Sequence, residues 1–500
     1  MAGWSAGWSR SPSRSSSRTA VVPGAAAVLV LVLLALVVVR LPWIGDLGLH
    51  AATVERLRHS LTDPGNPLVD ADTPSPYYSP WTVVLGIVAK AGGASVFVVL
   101  RIGACVGLAL LVTGVWRYVR TLSSWRGAPA LALLCLVLLW GTDPFAWSGF
   151  PGLHSLALTA SYPSVFALGL AFHLWAGLAG AVGRGGWGAW LGLGVLWAVI
   201  LLCHQFTGVV ASLGALAVVV GARPGWRPVG VRLAGGLVAG VVVLWVWPYY
   251  DFFALLGAGG GLEGVHRPLY RDLVGRYWLV SVGVVALGAR WWRDRRDPLV
   301  LFFALGVVVV AAGGVSGHWS WGRALPAVVI PAQIAAAVQV GEAGRRGPRV
   351  GWGCVVAAAL VVGAWTQVGV VGYVVGRGVL PGVVEAKYRE PWAGYHWITP
   401  WVRYGDVVMA RTGAARRVPA YGAYTVAPGY PDFFLPDEGR RGVAVRRYFG
   451  VGVSEVERGR ILREYGVRWV LGGRGVGGAG SGLRVVARGP GGEVLYAVGR

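Results

Sequence analysis

Charge is scarce in this chain. Only 13% of its 500 residues are Asp, Glu, Lys or Arg, where ordinary soluble domains carry about 25%. With 55% hydrophobic residues and a mean hydropathy of +0.60, that shortage excludes a soluble globular protein. Lysine is nearly missing: Lys90 and Lys387 are the only two among 45 basic residues. Cysteine is as rare. Cys105, Cys135, Cys203 and Cys354 all fall in apolar runs without metal-ligand spacing, which excludes a disulfide framework. Acidic residues number 22, about half the basic count, and leave a net charge of +23. A charge of that size raises nucleic acid as a partner, but membrane topology accounts for much of it, and no nucleic acid is expected. The 79 glycines are too many for any glycine pattern to mark a nucleotide loop. No internal repeat stands out.

What the chain has instead is long apolar runs. Residues 21–39 form the first, and no A-x-A-like cleavage site follows it, so it reads as an uncleaved anchor. Others lie at about 95–116, 128–142, 163–183, 187–204, 207–222, 232–249, 277–290, 298–315, 325–341 and 351–373. At 1.5 Å per residue, about 20 residues cross the roughly 30 Å core of a bilayer. The reading is an α-helical polytopic membrane protein with about eleven transmembrane helices. The 26 Trp and 18 Tyr suit its interfaces. Residues 1–20, rich in Ser and Arg, read as a disordered cytoplasmic tail.

Between the first run and the next lies a loop of about 40 residues, 41–80, carrying five of the 22 acidic residues: Asp46, Glu55, Asp63, Asp70 and Asp72. Loops that only connect helices are shorter. Within it Leu47, Ala51, Val54, Leu57 and Leu61 recur at helical spacing, with Glu55, Arg56, Arg58 and His59 on other faces. That pattern predicts an amphipathic helix on the membrane surface. Pro64, Pro67, Pro74, Pro76 and Pro80 are expected to prevent regular structure after it.

Charge placement orients the chain. With the N-terminus inside, the inner segments hold 17 basic residues and the outer loops up to residue 380 hold nine; nine of the twelve acidic residues in that stretch fall outside. The positive-inside rule favours this topology: a multi-pass plasma-membrane protein with a cytoplasmic N-terminus and an extracytoplasmic C-terminal part. Residues 381–500 carry 18 basic and 10 acidic residues and no spanning run. GDVVMAR, VRWVLGG and EVLYAVGR read as strands, and VSEVERGRILREYGV as a helix opened by Ser454 and Glu457. The expected organisation is a tail (1–20), a membrane domain (21–380) and a small, separately folding α/β domain (381–500).

This ordering resembles the GT-C superfamily of polytopic glycosyltransferases, the class that includes protein mannosyltransferase-like enzymes of bacteria. The residues that carry the resemblance are Gly45, Asp46 and His50 after the first span, the surface helix, the PYYSPW stretch from Pro76 to Trp81, and the tail segments YHWITPWVRYGDVVMA, ARRVPAYG and YGVRWVL. The resemblance implies transfer of a sugar from a polyprenyl-phosphate donor to a glycan, lipid or protein acceptor on the outer face, with inversion. Many members show a D-x-D or E-x-D pair in the first loop. Here positions 44 and 48 are Ile and Gly, so Asp46 stands alone and a divalent metal is left open as a cofactor. The rival readings are a transporter or flippase of lipid-linked glycans, and a non-catalytic envelope-assembly protein. A transporter calls for broken helices or inverted repeats with midplane charges, whereas here polar residues gather in outer loops.

The resemblance makes Asp46 the candidate general base or acceptor-orienting carboxylate, with His50 one helical turn on. Asp143, in WGTDPFAW, is the candidate second carboxylate. Arg267 and Arg271, four apart in VHRPLYRDLVGRYW beside His266, are candidates for the donor phosphate, since Arg presents fixed paired donors; they share a face if that loop is helical. Arg323 with His318, in GHWSWGR, is a similar candidate, and Tyr77 and Tyr78 are candidate sugar or lipid contacts. Interface anchoring is as good an account of the two tyrosines and of Arg267 and Arg271. Arg101, seven residues into a span, calls for a cavity or a partner. His173 and His204 read as packed helix residues.

Overall fold

The computed structural model describes residues 15–143, 145–223, 225–257, 263–342, 346–476 and 482–499. Arg10 and Arg14 of the N-terminal stretch lie outside the described residues.

Each of the eleven apolar runs holds a helix. α1 (Ser15–Arg40) begins inside the stretch read as a tail. α2 (Leu47–His59) is the helix read in the first loop. α3 (Pro80–Gly92) was not expected, and it corrects the reading of Pro80 as a breaker. Proline suits the first helical position, where no amide partner is needed, and Ser79 and Thr82 close a reciprocal cap around it. The bundle continues with α4 (Val96–Leu122), α5 (Ala128–Leu138), the short α6 (Leu153–Thr159), α7 (Pro163–Arg184), α8 (Trp187–Cys203), α9 (Gln205–Gly221) and α10 (Trp226–Trp245). Two short turns follow, α11 (Glu263–His266) and α12 (Leu273–Tyr277), then α13 (Ser281–Arg293), α14 (Pro298–Ser316), α15 (Pro326–Glu342) and α16 (Arg346–Thr366). Among the described residues, eight helical stretches are long and apolar enough to cross a membrane. The chain is a multi-pass membrane protein.

α5 is only 11 residues long, with all but Ala130 buried. Its uninterrupted apolar run reflects burial among other helices, not exposure to lipid. α4 and α7 approach closely: a Cβ at Gly169 would lie 2.8 Å from the Leu111 amide nitrogen, the small-residue contact that lets membrane helices touch backbone to backbone. At the other end of the bundle, Arg290 bridges Asp297 and Glu342, each at 2.8 Å, and Arg293 reaches Glu342 at 2.9 Å.

The tail folds on a five-stranded sheet of order β2-β1-β3-β5-β4, made of β1 (Val407–Ala410), β2 (Tyr424–Thr425), β3 (Val467–Gly473), β4 (Leu483–Arg488) and β5 (Glu493–Val498). β1 runs parallel to both neighbours, whereas β5 is antiparallel to β3 and β4. Along β1 the side chains alternate. Val407 and Met409 face a core shared with helices Glu438–Tyr448 and Glu455–Glu464, while Val408 and Ala410 face Tyr395, Ile398 and Val418. Ser454 caps the second helix by accepting from the Glu457 amide.

This tail is not detached from the first loop. Leu49, Ala52, Leu68 and Val69 share a buried cluster with Tyr430 and Leu435. Arg56, expected on a solvated face of α2, is fully buried. Its guanidinium donates to the carbonyls of Gly422 (2.9 Å) and Ala423 (2.6 Å) and lies over the ring of Tyr424. α2 is therefore not a free surface helix: the tail covers Arg56, while His59 stays exposed at its end.

Candidate active site

Asp46 occupies the N-cap position of α2 but makes no capping hydrogen bond. Acidic N-caps normally accept from their own helix; this carboxylate is left for something else. The backbone before it turns through Gly45 at φ +54° and is pinned from two sides. The Tyr430 hydroxyl of the tail donates to the Gly45 carbonyl at 2.6 Å, and the Tyr162 hydroxyl donates to the Ile44 carbonyl. The ring of His50, one turn on, packs 4.7 Å from that of Tyr162.

Asp46 is half-buried. Burial pushes its pKa above the ordinary value of 3.8, and the charges of Arg323 and Arg416 pull it back. Neither arginine closes an ion pair with it; each acts on the carboxylate through its charge. Burial lowers His50 to about 3, which leaves it neutral and able only to donate or accept a hydrogen bond. Tyr77 is pushed up first by burial and then by the charge of Asp46; its hydroxyl donates to the Pro431 carbonyl at 3.2 Å.

Arg323 comes from a 3₁₀ segment, Trp319–Ala324, just before α15. It is buried, at 7% exposure, and its Nε has no partner. The guanidinium sits 4.7 Å from the ring centroid of Phe206 and 5.8 Å from that of Trp147. The His266 ring packs against the same two aromatics. His204, at the break between α8 and α9, lies 3.1 Å from Arg323 Nη2 through Nε2. Its Nδ1 lies 2.7 Å from the Thr207 hydroxyl and 3.1 Å from the Thr207 amide. Nε2 of His204 pairs with Arg323 Nη2, and the Nε of that buried cation is left without a partner.

The structure therefore groups Asp46, His50, Tyr77, Arg323 and His266. It adds His204, read from sequence as a packing residue, and Arg416 and Tyr430 from the tail. His204 carried a signal in the polar HQFT break between two apolar runs; Arg416 carried none, because its role depends on docking of the tail. The other candidates lie apart. Asp143 pairs with Arg276 at 3.6 Å. Tyr78 is buried, with its hydroxyl donated to the Gly65 carbonyl at 2.8 Å. Arg267 lies over Trp319, and Arg271 falls on extended backbone after a 3₁₀ turn. The shared helical face expected of that pair is absent, because Pro268 tightens the turn. His318 bonds Ser316 and stacks on Trp321 at the surface. His173 contacts Thr113 and Arg117, as a packed helix residue would.

The lone aspartate also has a steric cause. A Cβ at Gly48 would sit 1.9 Å from the Arg416 carbonyl oxygen, so no second carboxylate fits there. Among the described residues no three His, Cys, Asp or Glu side chains cluster as a metal site, and two arginines are the charged neighbours of Asp46. This donor set does not fit a divalent cation.

No protein-family model and no curated protein matches the sequence. Solved structures do. ArnT from Cupriavidus metallidurans in the apo state is 16% identical, with a TM-score of 0.55 over 97% of this chain and 98% of that one. The same protein bound to undecaprenyl phosphate is 17% identical, with a TM-score of 0.55 over 95% and 97%. The arabinofuranosyltransferase AftD from Mycobacteria is 15% identical, with a TM-score of 0.57 over 98% of this chain and 40% of that one. The chain has the GT-C fold.

Proposed function

We propose that this protein is an integral-membrane glycosyltransferase that moves a sugar from a polyprenyl-phosphate donor to an acceptor hydroxyl at the outer face of the membrane. The observation that carries the reading is Arg323, a buried cation whose Nε has no partner and whose charge acts on Asp46, a carboxylate that makes no capping bond to its own helix. A phosphate supplies what Arg323 lacks, in a charge-assisted contact. The likeness to ArnT, one structure of which holds undecaprenyl phosphate, supports the donor class.

In this mechanism Asp46 accepts the proton of the acceptor hydroxyl as its oxygen attacks the anomeric carbon. The bond from that carbon to the phosphate oxygen breaks on the opposite side, which inverts the centre. The electron pair leaves with the polyprenyl phosphate, whose charge Arg323 holds. Neutral His50 orients the acceptor or the sugar.

The test is transfer of labelled sugar from a synthetic polyprenyl-phosphate donor by purified protein. General-base assistance is worth about 10²–10⁴ in rate, so Asp46→Asn is expected to lose that much turnover while donor binding survives. Arg323→Gln is expected to lose donor binding. Full turnover in Asp46→Asn would remove the catalytic assignment. Movement of an intact lipid-linked glycan across the bilayer without sugar release would favour the flippase reading.

A further inference from the structure

Arg101 has no part in the group around Asp46. It lies six residues into α4, and among the described residues no carboxylate comes within 4 Å of it. Its Nε donates to the Val39 carbonyl at 2.8 Å, near the C-terminal end of α1, and Nη1 reaches the Phe97 carbonyl at 3.4 Å. The bond to Val39 clamps α1 to α4, and neither bond compensates the charge. Beside Arg101 is an open recess of about 340 Å³ lined also by Leu41, Trp43, Leu47, Phe97, and His396 and Tyr421 of the tail. The three aromatic rings form one wall: Trp43 stacks with Tyr421 at 5.9 Å, and Phe97 lies 5.7 and 5.5 Å from the two. Trp43 is 93% buried, and its indole N–H has no acceptor. His396 is exposed.

We propose that this recess binds the phosphate of an anionic membrane lipid, with Arg101 as the cation and the Trp43–Phe97–Tyr421 wall beneath the headgroup. The neighbours of Arg101 fix the source of the phosphate. Val98 and Ile102 on α4 and Val39 on α1 are 44%, 51% and 64% exposed, an apolar rim of the kind that faces acyl chains. The anion arrives on a lipid, at the level where aromatic rings settle. The site shares no residue with the Asp46 group and ties the lipid to the junction between bundle and tail.

The test is native mass spectrometry of the full chain in zwitterionic detergent, titrated with phosphatidylglycerol, phosphatidylcholine or inorganic phosphate. Phosphatidylglycerol is expected to bind more tightly than phosphatidylcholine, and millimolar inorganic phosphate is expected not to displace it. Arg101→Gln should weaken phosphatidylglycerol binding about tenfold, the loss of one charge-assisted contact, while Arg101→Lys keeps most of it. Should Arg101→Gln unfold by losing the α1–α4 clamp, His396→Glu decides, since it sets an anion on an exposed wall without disturbing packing; it too should weaken binding. Unchanged binding in these variants, equal binding of phosphatidylcholine, or displacement by inorganic phosphate would each overturn the proposal. Sugar transfer is not the readout, so its outcome is separate from that of the glycosyltransferase reading.

Discussion

At Asp46, burial favours the protonated acid while two arginines favour the base. The balance gives a sign that can be checked. If Asp46 must be ionised to take a proton, transfer falls as pH drops through its raised pKa. Arg416→Gln removes one of the two cations that hold the pKa down, so the acid limb of the pH–rate profile should move to higher pH. His50 adds no limb near neutrality, because burial keeps it neutral down to about 3. An acid limb unmoved in Arg416→Gln would show that the guanidinium does not act on the carboxylate. Gly48 tests the same contact by shape. Its missing Cβ is what admits the Arg416 carbonyl, so even Gly48→Ala should push the tail from α2 and cost activity. Retained thermal stability and full turnover in Gly48→Ala would mean the backbone yields there.

At the scale of elements, helices were the readable part. Apolar runs of spanning length carry their own signal, so α1, α4, α7 and α14 could be read directly, and the three strongest strand patterns became β1, β3 and β5. What could not be read was set by contacts distant in sequence. α3 hid behind a proline that looked like a breaker, and β2, two residues long, has no pattern of its own. Arg56 looked like a solvated side chain because its partners, Gly422, Ala423 and Tyr424, lie more than 360 residues away. Asp46 could be proposed from its place after the first span; Arg416 and His204 join the candidate site only once α2, the tail and the α8–α9 break meet. The tail is accordingly expected to need the first loop. Arg56→Gln, which gives up buried hydrogen bonds to a charged group worth about 1.5–3 kcal/mol each, should lower the melting temperature and open the junction to protease. Residues 381–500 expressed alone should unfold at lower denaturant than the same residues co-expressed with a peptide of residues 41–80. Equal midpoints would show that the two cores inside the tail suffice.

For the whole molecule the proposed orientation is argued from where charge is tolerated. Arg290, Arg293, Asp297 and Glu342 form a paired network where α13 and α15 end and α14 begins, and Arg223 pairs with Asp294 beside it. Counted along the chain, this end of the bundle holds the basic excess, so the positive-inside rule predicts that it is the cytoplasmic side. The opposite end carries Asp46, the first loop and the docked tail. On the proposed function that end faces the outside, where a lipid-borne donor and an acceptor would meet at Asp46. Reporter fusions after Arg184, at the end of α7, should therefore report the cytoplasm, and fusions after the sheet of the tail should report the exterior. The reverse pattern would place Asp46, Arg323 and Arg416 on the cytoplasmic side, where nucleotide sugars are the available donors, and the polyprenyl-phosphate reading would fall with the orientation that supports it.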